Sequence, residues 1–202
     1  MNKKIIALII AVVVMTILGF GIWTISSKSN NDEKSNSNSK NNNLSNDNKI
    51  AVVYFSATGT TKKVAETISS ETGGELIEII PKEKYTSADL NWNDSKSRTS
   101  IECNDQKSRP EIENTINVDD FNVIYLGYPI WWGDVPHIIL TFMDTYRLDG
   151  KTIIPFCTSG GTGISQSMKT LKKYNSNVNW IDGKRLGSSE NEIKSWVNNI
   201  NY

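Results

Sequence analysis

Histidine occurs once, at position 137, and cysteine twice, at 103 and 157. Two cysteines so far apart make neither a metal site nor a convincing bridge, even where a disulfide is permitted, and a buried thiol at Cys157 is the expectation. Excess charge of one sign is also missing. The 202 residues carry 22 Lys and Arg against 22 Asp and Glu, and residues 49–202 carry 17 against 19, a formal −2. Such a balance gives no electrostatic case for nucleic acid, which would call for a clustered basic surface, and no nucleic-acid partner is expected. Two phosphate-binding patterns are absent as well. Gly59 is followed by Thr-Thr-Lys-Lys with no second glycine, so there is no Walker loop. Gly161-Thr162-Gly163 runs on to Ile164-Ser165-Gln166, so the dinucleotide fingerprint is incomplete.

What is present falls into three parts. Residues 5–25 hold no charge and follow Lys3 and Lys4. They are long enough to cross a bilayer as a helix, and the lysines favour a cytoplasmic N-terminus with the rest outside. The expectation is a single-pass anchor at the cell membrane; the alternative is a cleaved signal peptide and a secreted chain, although no clear cleavage site follows the run. Residues 26–48 are almost entirely Ser, Asn, Lys and Asp. They cannot bury enough apolar surface to offset ordering entropy and read as a flexible tether. Residues 49–202 then suit one folded domain.

Within that domain, short apolar runs at 50–55, 75–80, 121–127 and 152–157 read as strands, with 178–181 as a fifth. Helical spacing follows from Thr61 to the Gly73-Gly74 stop, over 135–146 with Pro136 in the first turn, through Met168, Leu171 and Tyr174, and over 190–200. Alternating strands and helices predict an α/β fold, a parallel sheet covered by helices on both faces. Residues 81–120 are polar and long for a plain loop, and a helix is expected near 87–98.

Ligands of open α/β sheets sit beyond the carboxyl ends of the strands, so the loops after the strands are the candidates. The first, Ser56 to Thr61, offers the hydroxyls of Ser56, Thr58, Thr60 and Thr61 around Gly59 and opens a helix whose N–H groups favour an anion. An ordinary Ser/Thr cap is the plainer reading. The second, "GYPIWWGDVP", puts Trp131 and Trp132 on a turn; one is expected to plug the core, leaving the other as a flat surface for a planar ligand. The third, Thr158 to Gly163, has glycines whose N–H groups can approach a ligand edge. Together the loops suit a phosphate, an aromatic ring system and that ring's polar edge.

"VVYFSATGTTKKVAETI", "YLGYPIWWGDVP" and "PFCTSGGTGIS" resemble the phosphate-binding and paired flavin-binding loops of the flavodoxin family. The resemblance covers nearly all of residues 49–202. It implies a doubly wound five-stranded parallel sheet in the order 2-1-3-4-5, preceded here by the transmembrane helix, with FMN at the point where the strand order reverses; flavodoxin is the standard illustration of that arrangement. It also implies that Ser56, Thr58, Gly59, Thr60 and Thr61 hold the FMN phosphate. Pro129, Trp131, Trp132 and Gly133 would line the isoalloxazine, with Trp132 expected to stack and Trp131 as the alternative. Thr158, Ser159, Gly160, Gly161 and Gly163 would contact its pyrimidine edge. The implied function is electron transfer by a membrane-tethered flavodoxin-like protein on the outer face, to a redox partner protein or a small-molecule acceptor. An FMN-dependent NAD(P)H:quinone-type oxidoreductase is the alternative, slightly favoured by the near-neutral charge, and a cofactor-free binding domain is a third. No acid–base residue is assigned; His137, at a helix start, is expected to be solvent-exposed.

Overall fold

The computed structural model describes residues 48–202. The expected anchor and all but the last residue of the expected tether lie outside the described residues, and no helix among those described is long and apolar enough to cross a membrane. Six strands, β1 (Ile50–Tyr54), β2 (Glu75–Glu78), β3 (Val123–Pro129), β4 (Thr152–Thr158), β5 (Asn179–Trp180) and β6 (Lys184–Arg185), alternate with five helices. These are α1 (Thr60–Thr72), α2 (Arg98–Asn104), α3 (His137–Thr145), α4 (Ser165–Tyr174) and α5 (Glu190–Asn198).

All strand pairings are parallel, in the order β2-β1-β3-β4-β5. The fifth position is shared: β5 pairs with Thr152 and Ile153 of β4, while β6 pairs with Phe156 and Cys157 further along. The expected fifth strand is therefore real but broken.

The apolar runs are continuous because both faces of each strand are covered. Ala51, Val53, Phe55, Ile124 and Leu126 pack on one side with Ile138, Ile139 and Phe142 of α3 and Leu171 of α4. Val52, Tyr54, Tyr125, Ile154 and Phe156 pack on the other with Val64, Ala65 and Ile68 of α1 and Ile193 and Val197 of α5. One close approach has a fixed requirement. A Cβ on Gly127 would lie 2.2 Å from Cζ of Phe156, so any other residue there would have to displace that buried ring.

Residues 81–120 differ from expectation. The segment leaves β2 and returns beside it, Pro81 bridging Ile112 while Asn114 donates from Nδ2 to the Glu78 carbonyl and accepts at Oδ1 from the Ile80 N–H. Its helix is Arg98–Asn104, not 87–98. Asp89, Asn91 and Asp94 accept hydrogen bonds from the backbone N–H groups of Thr86, Asn93 and Lys96, which holds that stretch in turns. Short polar side chains compete with helical bonding in this way. Ser97 then caps the true helix by accepting from the Ser100 N–H.

Candidate functional site

The register brings three strands to one end of the sheet, β3 and β4 level and β1 two residues short of them. Tyr54 lies beside Gly127, Pro129 lies beside Thr158, the Phe55 N–H donates to the Gly127 carbonyl at 2.9 Å, and the Ile130 N–H donates to the Thr158 carbonyl at 2.8 Å. All three predicted loops therefore leave the sheet at one edge. They enclose a cavity of about 350 Å³. From the first loop it is lined by Ser56, Ala57, Thr58, Thr60 and Thr61; from the second by Pro129, Ile130 and Trp131; from the third by Thr158, Ser159 and Gly160. A larger hollow of about 670 Å³ runs from the same threonines along α1 and α5. It is open to no residue of the second loop, so the smaller cavity is the candidate site.

The first loop begins with Ser56, whose Oγ is buried without a hydrogen-bond partner among the described residues. A buried hydroxyl left unpaired costs about 1–3 kcal/mol, so such an atom marks a place where an acceptor or donor from outside would be welcome. Helix α1 follows at Gly59, and no side chain caps it. Its first N–H groups thus point toward the same loop with their partial positive charge. Thr58 and Thr60 hydroxyls lie 3.2 Å apart and exposed, while Thr61 is buried and shares a 2.9 Å hydrogen bond with Thr158. That bond ties the first loop to the third.

In the second loop the two tryptophans separate. Trp131 is partly buried and meets Phe55 edge-on at 5.3 Å between centroids and Tyr85 at 4.9 Å. Trp132 is 51 % exposed and does not line the cavity. Trp131 and Asp134 exchange backbone hydrogen bonds of 3.0 and 2.9 Å across Trp132 and Gly133, whose φ angles are 53° and 80°. Positive φ at both central residues is the mark of a type I′ turn; glycine adopts it freely, whereas for a bulky residue it is an outlier that costs about 1–3 kcal/mol. Strain of this kind is found at ligand clamps, and here it holds an indole out toward solvent.

In the third loop the Ser159 hydroxyl donates to the Thr162 carbonyl and accepts from the Gly161 N–H at 3.3 Å. Gly160 reaches the cavity, while Gly161 and Gly163 are exposed outside its lining, as Gly133 is outside it on the opposite loop and Gly59 faces the larger hollow.

A family model described as Flavodoxin matches residues 49–200. The chain belongs to the flavodoxin family. Among solved structures, a candidate flavoprotein from Bacteroides eggerthii is 46 % identical, with 75 % of this chain and 96 % of that one covered at a TM-score of 0.71. Another from Bacteroides uniformis is 42 % identical, covering 75 % and 98 % at 0.73. A flavoprotein in complex with FMN from Lactobacillus acidophilus is 28 % identical, covering 74 % and 98 % at 0.58. No curated protein matches.

Within this flavodoxin-family domain, several supporting residues had no signal in the sequence. Ala57 and Ile130 line the cavity only because of where the strands end. Tyr85, from the polar excursion, completes an aromatic trio with Phe55 and Trp131. Asp134, two residues before the helix N-cap Pro136, was not singled out by the sequence either. Its carboxylate accepts from the Val135 N–H at 2.7 Å, the Thr170 hydroxyl at 2.7 Å and Gln166 Nε2 at 3.3 Å, which fastens the second loop to α4.

His137 corrects an expectation: it is 8 % exposed, not solvent-exposed, and its Nδ1 has no partner among the described residues. Burial depresses its pKa first, and Arg109 adds to this, against the opposing charges of Glu102, Asp134 and Asp105. Its position at the first residue of α3 turns the ring inward, because Ile138 and Ile139 beside it are core. Cys103 and Cys157 are both free thiols, with Cys157 fully buried.

Proposed function

We propose that this domain binds FMN across the 350 Å³ cavity and works in electron transfer, tethered to the outer face of the membrane by residues 5–25. The observation that carries the reading is the buried Ser56 hydroxyl, without a partner among the described residues, set among three threonines at the uncapped start of α1 and beside an aromatic wall. Hydroxyls and helix-end N–H groups suit a phosphate monoester, and the family resemblance and the FMN complex of the Lactobacillus acidophilus flavoprotein support the same ligand.

In this reading Ser56, Thr58, Gly59, Thr60 and Thr61 hold the phosphate by donating hydrogen bonds. Pro129 and Trp131 wall the ring system, and the strained Trp132–Gly133 turn supplies Trp132 as a stacking surface. Thr158, Ser159, Gly160, Gly161 and Gly163 face the pyrimidine edge. FMN, when bound, supplies the one- and two-electron chemistry; the protein contributes position, exclusion of water and local hydrogen bonding. The partner is a redox protein or a small-molecule acceptor.

The second reading, an FMN-dependent NAD(P)H:quinone-type oxidoreductase, draws on the formal −2 of residues 49–202, since a docking shuttle gains from a strong charge opposite its partner. The full chain, expressed and extracted from membranes in mild detergent, is expected to be yellow and to release FMN identifiable by mass on denaturation. A colourless chain that also fails to take up added FMN refutes the cofactor. Protease accessibility of the domain in intact cells tests its side of the membrane. NAD(P)H oxidation with a quinone above the rate of free FMN decides for the enzyme.

A further inference from the structure

We propose that Tyr85, clamped by Arg98 and Glu102, is the positioning residue for Trp131, and that the 81–120 excursion serves to set the aromatic wall of the cavity. The inference rests on the flavin reading for its consequence, though not for its geometry. Tyr85 is reached from the excursion before its helix begins, and α2 then presents Arg98 and Glu102 one turn apart. The Arg98 guanidinium carbon sits 4.0 Å from the centre of the Tyr85 ring. Glu102 divides its two oxygens: Oε1 accepts from Arg98 Nε at 2.6 Å and Oε2 from the Tyr85 hydroxyl at 2.8 Å. Arg98 Nη1 also donates to the Glu83 carbonyl at 2.8 Å, which fastens the chain just ahead of Tyr85. The side chains of Arg98 and Glu102 are only 21 % and 12 % exposed.

A ring needed only to fill volume would not require this arrangement. A half-buried carboxylate and guanidinium are costly unless their bonds are met, and when met they fix orientation. Here they hold the Tyr85 ring from its hydroxyl and from one face, which sets both its place and its tilt. Tyr85 in turn meets Trp131 at 4.9 Å and an interplanar angle of 70°, and Phe55 at 5.7 Å and 60°. Phe55 immediately precedes Ser56, and Trp131 lines the cavity. The excursion therefore braces both the aromatic wall and the start of the phosphate loop. A planar ligand gains from a wall of fixed tilt, because a preorganised surface need not be ordered on binding.

The test uses the full chain in mild detergent, with FMN affinity read from quenching of flavin fluorescence. Ligand-free protein labelled with 5-fluorotryptophan supplies a fluorine NMR line for Trp131, assigned through Trp131→Phe. Tyr85→Phe keeps the ring and its face on Arg98 but loses the hold of Glu102, and is expected to weaken FMN binding about threefold with a small shift of the Trp131 line, whereas Tyr85→Leu is expected to weaken it about tenfold or more. Tyr85→Leu also shifts or broadens the Trp131 line. Arg98→Met, outside the cavity, moves that line in the same sense with a smaller loss of affinity, and it carries the test should Tyr85→Leu not fold. An unmoved Trp131 line in a folded Tyr85→Leu or Arg98→Met variant overturns the proposal. So does unchanged affinity in Tyr85→Leu, or a Tyr85→Phe as damaging as Tyr85→Leu. A wild-type chain that takes up no FMN would refute the flavin reading instead, and the fluorine line would still decide whether Tyr85 positions Trp131.

Discussion

Replacing Ser56 with alanine should stabilise the ligand-free protein and weaken the liganded one. The hydroxyl is buried and no group among the described residues pairs with it, so removing it relieves a desolvation penalty of about 1 kcal/mol at the lower end of the measured range. For a chain of this size that corresponds to an upward shift in Tm of about 2–4 °C. With a phosphate in the loop, the same hydroxyl donates to a charged acceptor, a bond worth about 1.5–3 kcal/mol. The dissociation constant for FMN should therefore rise about 30-fold, within a range of about 10- to 150-fold. The two effects cross. At a free FMN concentration of about 100 times the wild-type constant, the wild type gains about 2.7 kcal/mol from binding and the variant only about 0.9 kcal/mol. The order of melting temperatures thus reverses when ligand is added. Thermal unfolding with and without FMN, beside a fluorescence titration, measures all three quantities. A Ser56→Ala variant less stable than wild type without ligand would mean the hydroxyl has a partner in the fold; unchanged FMN affinity would mean the phosphate is elsewhere. Either result refutes the reasoning.

The two tryptophans should part company: Trp131→Ala is expected to cost about 3 kcal/mol of stability in chemical unfolding, as large core truncations do. Trp132→Ala should leave stability within about 1 kcal/mol, because the indole is half exposed and alanine keeps the Cβ that meets the same positive φ, while FMN affinity falls about tenfold. Gly127→Ala, whose methyl would meet the Phe156 ring, should lower stability by about 3 kcal/mol or prevent folding, and Gly127→Ala with Phe156→Leu should recover part of the loss. Stability should also depend on pH at both ends. His137 has a depressed pKa in the fold, chiefly through burial; the unfolded chain takes up the proton first, so stability is full above about 6.5 and declines as pH falls below it. His137→Phe should flatten that decline in a series of melting curves. Burial pushes the Cys103 and Cys157 thiols up to about 12, so their contribution is intact below about pH 9 and is lost as pH rises beyond it. Two thiols should react with a colorimetric reagent in denaturant, and Cys157 only slowly in the fold.

Hydrophobic periodicity made the fold legible, since a strand covered on both faces must read as a continuous apolar run and a helix covered on one must repeat every three to four residues. The excursion at 81–120 was less legible because its structure depends on side chains bonding local backbone, as Asp89 and Asp94 do, and periodicity does not report such bonds. The environment of His137 was misread for a related reason. One polar residue at the head of an apolar helix gives no sign of which way the first turn faces, and that is set by how α3 lies on the sheet.

The residue types that could receive a phosphate, a flat ring and its polar edge were written in three separate stretches of the chain, and so was the order in which strands and helices alternate. Their meeting was decided by the register of parallel strands. Pairing of Tyr54 with Gly127 and Pro129 with Thr158 brings the three strands to one end of the sheet, β3 and β4 level and β1 two residues short of them. Only there can Thr61 and Thr158, 97 positions apart, share a hydrogen bond. That one of Trp131 and Trp132 would pack and the other stand free was expected, but which of two adjacent, chemically identical residues does so is not decided by any pattern of residue types. It follows from a turn that holds one indole against Phe55 and Tyr85 and turns the next toward solvent.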